Sequence, residues 1–489
     1  MQERVAILRP FAATLKIRRR GWGLSSRSLE PVKWDGWPLL AVVLLAFAYI
    51  AFAPLLFNDG DTYWHLGAGR WISDHGYVPV TDPFSFTARG HAWTAHEWLS
   101  ELMMASAYGL GSWGGLGILF GGAVALTLLY AGLELRKVVK PLHAAAALVL
   151  LFILLEPSLL ARPHVLAWPV IAAWTIMLLH ARARHAPPPL AAALLMLVWA
   201  NLHASFVFGL VMIAFFALEA LAYERDRTKA VLGWGAFALV SLAVTLANPS
   251  GLQGLLYAFQ VSSMKILPLI NEWRPSSLSK DPLFFAMTAI AALVVILKRP
   301  RIPFPRLLLI AALFYLAISH ARHQALFGIV SLLLVTPSLG DRRGPAETFL
   351  PQAAVAVLSA SLLIISIVRL AVPIPHRDTP VYPAKAIASV PPSLRSQPVL
   401  NAYDFGGALI FNGIAPFIDG RADMYGDEHT ATAHAIERGD APRFNAAVKR
   451  WNIRWTILHP SEKLVAVLDR DPAWRRAYAD EYAVIYVRK

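Results

Sequence analysis

The sequence predicts a polytopic α-helical membrane protein that ends in a small α/β domain. Three observations carry that prediction. Of 489 residues, 57% are hydrophobic and only 16% charged, more apolar surface than a soluble chain of this length can hide. Apolar runs of about 15–20 residues recur through most of the chain, the length of a bilayer-crossing helix. Beyond residue 373 the apolar runs shorten to strand length and prolines punctuate them, which marks a different architecture. The net charge of +14 does not indicate a nucleic-acid binder. Its Lys and Arg cluster in short loops between apolar runs, the pattern that orients a membrane protein. Cysteine is absent, which removes disulfides, thiolate metal sites and cysteine nucleophiles.

In chain order, residues 1–37 are basic (Lys16, Arg18, Arg19, Arg20, Lys33) without a small-residue cleavage pattern, and read as a cytoplasmic arm. The first span, 38–57, opens into a large polar outer loop, 58–113. Its last part, 98–112, holds Glu101, Gly109 and Gly111 and is short for a span. A crossing there would turn the cluster Arg136, Lys137 and Lys140 outward, so this stretch is expected to lie in the outer interface or dip into it. Further spans are expected at 114–134, 142–156, 164–181, 188–201, 203–222, 230–247, 282–297, 304–319, 322–338 and 350–372, with 248–281 as an outer loop. The total is about eleven crossings. Each basic cluster then faces the cytoplasm, including Arg182 and Arg184, Arg225 and Arg227, Lys298 and Arg299, and Arg342 and Arg343. The amino end falls inside and the carboxyl end outside.

Pro373, Pro375, Pro380 and Pro383 mark a linker into the tail, 373–489. Strands are expected near 398–400, 408–411, 416–419, 455–459 and 483–487, and helices near 442–451 and 462–469.

With this orientation the informative polar residues collect at the outer ends of the spans. They are Asp59, Asp61, His65, His96 and Glu97; Glu156, Arg162 and His164; Asn201 and His203; Asn248; Glu272 and Arg274; and His320, Arg322 and His323. Any single Arg or His there competes on about even terms with a headgroup anchor. Asn248-Pro249 reads as a helix stop, Asp82-Pro83 as a turn or cap, and Trp64, Trp71, Trp93, Trp98 and Trp113 as an interfacial belt. Convergence of many loops on one side is harder to explain that way. Arg162, His164, Arg322 and His323 suit a phosphate or diphosphate at the membrane surface, and Asp61 suits a base for an attacking hydroxyl. Should the site take a divalent cation, Mg or Mn, the ligands would be Asp59, Asp61 and His65. Asp61 and His65 stand four apart, on one helix face.

The run Asn58-Asp59-Gly60-Asp61-Thr62-Tyr63-Trp64-His65-Leu66, with Ala161-Arg162-Pro163-His164, Trp199-Ala200-Asn201-Leu202-His203 and Asn248-Pro249-Ser250-Gly251, resembles the GT-C superfamily of integral-membrane glycosyltransferases. In the tail, Asn401-Ala402-Tyr403-Asp404-Phe405-Gly406-Gly407 and Phe417-Ile418-Asp419-Gly420-Arg421-Ala422-Asp423-Met424-Tyr425-Gly426-Asp427 are similar to bacterial members. The resemblance implies about 11–13 transmembrane helices and a sugar donated by a polyprenyl-phosphate carrier to a glycan, lipid or protein acceptor. It implies a bacterial inner membrane, with the tail periplasmic. It makes Asp61 the first-loop catalytic Asp, supported by Asp59 and His65. Arg162, His164, Arg322 and His323 become the donor-phosphate site, and His96, Glu97, Glu156, Asn201, His203, Glu272 and Arg274 the cleft. One departure stands out: many members carry an acidic pair in the second outer loop, where this chain has only Glu156 before Arg162 and His164. That favours a metal-independent reaction. The run Asp419–Asp423 reads first as a structural ion pair around a tight-turn glycine and second as an acceptor contact. Rival readings are a lipid-linked saccharide flippase, an oligosaccharide polymerase or ligase, a phosphoethanolamine transferase and an assembly protein.

Overall fold

The computed structural model describes residues 34–340, 350–373 and 377–489. Residues 1–33 of the expected cytoplasmic arm, Arg342, Arg343 and Pro375 lie outside them. Gly36–Lys489 forms one compact unit. Its first part is helical: α1 (Trp37–Phe52), α2 (Gly60–His75), α3 (Trp98–Leu135), α4 (Pro141–Leu155), α5 (Pro163–Ala183), α6 (Ala193–Leu202), α7 (Phe206–Tyr223), α8 (Arg227–Thr245), α9 (Leu252–Ser262), α10 (Pro282–Lys298), α11 (Phe304–Ser319), α12 (Gln324–Val335) and α13 (Gln352–Ala371). Each expected span overlaps one of these helices. Six of them are long and apolar enough to cross a membrane, and α1, α6, α10 and α11 are apolar but shorter. Proline opens α1, α4, α5, α10 and α11, where its missing N–H costs nothing and its fixed φ suits the first turn.

The stretch 98–112 is helical but does not run straight into the next span. Gly111 (φ −150°, ψ 20°) and Ser112 (φ 50°, ψ −140°) break α3 into two helices. Leu110 at the break is 90% exposed.

Polar side chains gather at the two ends of the bundle. At the end reached by α3, α5 and α7, Arg182 and Arg306 share Glu219, with Arg306 Nε and Nη2 each 2.7 Å from its carboxylate. Lys137, Glu134 and His180 form a second group there. These basic residues mark the opposite end from Asp61 and Arg162.

The tail contains α14 (Ala384–Ser389), α15 (Pro392–Arg395), β1 (Val399–Asn401), α16 (Gly406–Phe411), α17 (Ala422–Glu437), α18 (Ala441–Trp451), β2 (Trp455–Leu458), α19 (Lys463–Leu468), β3 (Trp474–Ala479) and β4 (Val484–Arg488). The sheet order is β1-β2-β4-β3, with β1 and β2 parallel and the other pairs antiparallel. Residues 408–411, expected as a strand, are the helix α16: a short apolar run does not reveal its period, and this one packs on α2. Residues 416–419 form no strand either; Phe417 and Ile418 are core residues of an extended loop. β3 went unpredicted because four of its six residues are exposed, so this edge strand carries no apolar alternation.

Tail and first loop share a core. Tyr63 of α2 is fully buried and stacks on Tyr382, ring centres 4.6 Å apart. Trp64, Ala68, Ala88, Trp93 and Ala95 of the first loop pack with Ile410 and Met424 of the tail. A buried aromatic contributes about 1.5–3 kcal/mol, so this docking is firm.

Candidate active site

The site is built at the start of α2. Asp59 is the N-cap, its Oδ1 accepting the Asp61 N–H at 2.8 Å. Asp61 therefore sits in the first turn, where the helix dipole favours a carboxylate. Its Oδ1 accepts from Trp64 Nε1 at 3.0 Å and its Oδ2 pairs with Arg162 Nη2. Arg162, the N-cap of α5, is brought there by the backbone before it: Ala161 N donates to Leu56 O (2.8 Å) and Ala161 O accepts from Thr62 Oγ1 (3.2 Å). Arg162 Nε lies 3.1 Å from Asp59 Oδ1, and its Nη1 donates to Glu272 Oε2. The other oxygen of Glu272 is 3.2 Å from Arg322 Nη1. A carboxylate–guanidinium–carboxylate–guanidinium chain thus runs from Asp59 and Asp61 through Arg162 and Glu272 to Arg322, whose plane lies 4.3 Å over Trp273. Burial would raise the Glu272 carboxyl, but Arg162 and Arg322 together bring it down to about 2.

Glu272 rides on a 3-10 turn, Asn271–Trp273, in the loop between α9 and α10. His320 Nδ1 holds the Trp273 carbonyl at 2.9 Å, and Asp427 of α17 accepts the N–H groups of Lys265 and Ile266 at 3.1 and 3.0 Å. The tail thereby tethers the loop that carries Glu272.

His65 faces away from this chain. Its Nδ1 is 3.2 Å from Glu101 Oε1 and its Nε2 3.8 Å from Glu97 Oε2. Glu97 is the centre of a second group, with His96 Nε2 at 3.6 Å and His203 Nε2 at 3.4 Å. Burial opposes the Glu97 charge, yet His96, His203 and His65 hold its carboxyl well below the usual range. His96 stacks on Tyr257, 3.8 Å between ring centres. The ring of His164 lies 6.2 Å from that of His203, which places the second group beside the first.

Other expected site residues are committed elsewhere. Arg274 makes a two-pronged pair with Asp281 (2.6 and 2.8 Å), not with the cleft. Asn201 bridges Trp98 Nε1 (2.7 Å), Leu197 O and Ala247 O, joining α3, α6 and the end of α8. Glu156 receives the Tyr49 hydroxyl at 3.4 Å, and His164 Nε2 bonds Ser158 O at 2.9 Å. His323 sits among Phe208, Trp273 and His320.

The tail roofs Asp61. A Cβ on Gly420 would overlap the Asp61 carboxylate, lying 2.7 Å from its Cγ. That, and not a left-handed turn, is why glycine stands there: Gly420 is absent from the positive-φ residues. On the other side of α2, Gly60 lets the Asp404 carbonyl approach, a Cβ there falling 2.6 Å from that oxygen. Arg421 is 1% exposed and bonds Asp419 (2.8 and 2.7 Å) and Asp82 of the first loop (2.8 Å), ringed by Trp93, Phe84 and Trp64. Tyr257 and Asp423 join the second group through His96, and Tyr403 bonds the Gly420 carbonyl at 3.3 Å. No local sequence pattern ties Tyr257, Tyr403 or Asp423 to α2.

The donor set for a cation does not assemble as expected. Asp59 and Asp61 face Arg162 while His65 faces Glu97 and Glu101, and among the described residues no three His, Asp or Glu are grouped to hold a metal ion. Asp59, Asp61 and Glu272 do converge, but on a fixed guanidinium. The guanidinium alone contributes a repulsion of roughly 8 kcal/mol to a divalent ion about 4 Å away at an effective dielectric of about 20, opposing the attraction of the carboxylates it already pairs with.

No family model and no curated protein matches the chain. Solved structures do. The archaeal oligosaccharyltransferase AglB from Archaeoglobus fulgidus, in complex with an inhibitory peptide and a dolichol-phosphate, aligns over 86% of this chain and 69% of its own, at TM-score 0.56 and 13% identity. The A. fulgidus oligosaccharyltransferase complex with Zn and sulfate gives 0.53 and 12%, covering 86% and 68%. ArnT from Cupriavidus metallidurans bound to undecaprenyl phosphate gives 0.50 and 13%, covering 92% and 97%. These are GT-C glycosyltransferases, and the chain has their fold.

Proposed function

We propose that the chain is a membrane glycosyltransferase. It moves a sugar from a polyprenyl-phosphate carrier to an acceptor hydroxyl at the periplasmic face of a bacterial inner membrane, with inversion and with Asp61 as general base. The observation that carries this reading is the placement of Asp61. It is held at a helix start against Arg162, one carboxylate away from Arg322, under the tail, at the bundle end opposite the basic clusters. Basic residues favour the cytoplasmic side, which turns Asp61 outward.

In this reading the acceptor oxygen attacks the anomeric carbon from the face opposite the carrier phosphate. The new C–O bond forms as the bond to phosphate oxygen breaks, and the hydroxyl proton passes to Asp61. Charge grows on the leaving phosphate. Arg322 and the remaining N–H groups of Arg162 would meet it, guanidinium through its planar fork. His96, Glu97 and His203 line the acceptor side.

The test is transfer of labelled sugar from the lipid carrier by Asp61→Asn protein that purifies and melts like wild type. A loss of at least ~10²-fold is expected; full activity would remove Asp61 from the mechanism. Transfer of a whole oligosaccharide is a second reading, favoured by the likeness to oligosaccharyltransferases, and the mass of the product separates the two. A flippase would need polar residues at mid-bundle, whereas the charged groups described here lie at the two ends.

A further inference from the structure

We infer that Arg162 is the chain's own cation at this site, standing where a divalent ion would otherwise be held among carboxylates, so that the site takes no metal. A fold relative has been solved with Zn bound, yet the donor set of this chain is already filled by its own guanidinium.

The carboxylates are arranged around the guanidinium and, with it in place, form no cluster among the described residues that could hold a metal ion. Three nitrogens of Arg162 face three different carboxylates: Nε meets Asp59 Oδ1 at 3.1 Å, Nη2 meets Asp61 Oδ2 and Nη1 meets Glu272 Oε2. The carboxylates come from two unrelated segments, the start of α2 and the turn Asn271–Trp273, so no local motif forces the convergence. The Arg162 side chain is only 16% exposed, and a guanidinium cannot shed its charge. The hydrogen bonds of Ala161 to Leu56 and Thr62 fix the backbone next to it. Such an ion neither dissociates nor responds to chelators. Each terminal nitrogen keeps a further N–H, so the same group holds Asp61 in place and retains donors for an incoming phosphate.

The role in phosphate departure rests on the glycosyltransferase reading; the exclusion of a metal does not, and the experiment addresses the latter alone. Purified full-length protein, washed with chelator and freed of it, is titrated with Mn²⁺ and bound ion is read by electron paramagnetic resonance. Wild type and Asp61→Asn should bind equally little. Arg162→Ala, which leaves the three carboxylates without their counter-charge, should gain one bound Mn²⁺ per chain at least ~10-fold tighter than wild type, lost again in Arg162→Ala/Asp61→Asn. Arg162→Gln serves the same purpose if the alanine variant does not fold. A wild-type Mn²⁺ site that disappears in Asp61→Asn overturns the inference, and so does a folded Arg162 variant that gains none.

Discussion

Replacing Gly420 with alanine would place a methyl group inside the carboxylate of Asp61. The added Cβ would overlap Oδ1 and lie 2.7 Å from Cγ and 3.1 Å from Trp64 Nε1. Something has to move, and the surroundings decide what. The loop bearing Gly420 is pinned by Arg421 to Asp419 and Asp82, and α2 is clamped at Gly60 by the Asp404 carbonyl. The Asp61 side chain is the softest element. It would rotate away, giving up the Trp64 Nε1 bond at 3.0 Å and weakening its pair with Arg162, each a charge-assisted contact of roughly 1.5–3 kcal/mol. In the proposed mechanism Asp61 is the base, and displacing it by about 1 Å costs on the order of 10²-fold in kcat. The assay is sugar transfer from the polyprenyl-phosphate donor by purified Gly420→Ala, alone and combined with Asp61→Asn. Because both changes act through one carboxylate, the double variant should be no slower than Asp61→Asn. Gly235→Ala on α8, where a Cβ meets nothing within 4 Å, should match wild type. Unchanged kcat in Gly420→Ala, or a further loss in the double variant, would refute the reasoning.

Two other perturbations probe the tail. Arg421→Met strands the Asp419 and Asp82 carboxylates, both essentially without exposure, at a cost of about 3–5 kcal/mol; the tail should become cleavable by protease where wild type resists. Glu462 is pushed up to about 8, first by burial and then by Glu437, and its Oε2 has no hydrogen-bond partner. The folded chain holds a proton there that the unfolded chain releases above its ordinary pKa of 4.5. This contribution is therefore fully present below pH 4.5 and fades as pH rises through 8. Glu462→Gln should melt progressively higher than wild type across that window, by up to a few kcal/mol, and a pH-independent difference would contradict the assignment.

How much was legible beforehand differs between bundle and tail. The helices of the expected spans and the separation of 98–112 from the span after it were readable, since each follows from hydropathy and charge along a short window; α2 and α9, inside stretches read as outer loops, were not. In the tail, β1, β2 and β4 were readable as apolar runs. α16 and β3 were not, because one is short and apolar on a packed face and the other is an exposed edge, and neither were α14, α15 and α17.

Membrane class and the order of the apolar helices were determined by the chain alone, because partition between lipid and water is a property of each segment. Partner choice was not. That Arg162 gathers Asp59, Asp61 and Glu272, that His65 turns to Glu97, that Arg274 is taken by Asp281, and that Gly420 closes over Asp61 were decided only by the tertiary structure. Electrostatic pairing depends on distance through space, and residues far apart in the chain acquire that distance only when the helices and the tail have packed.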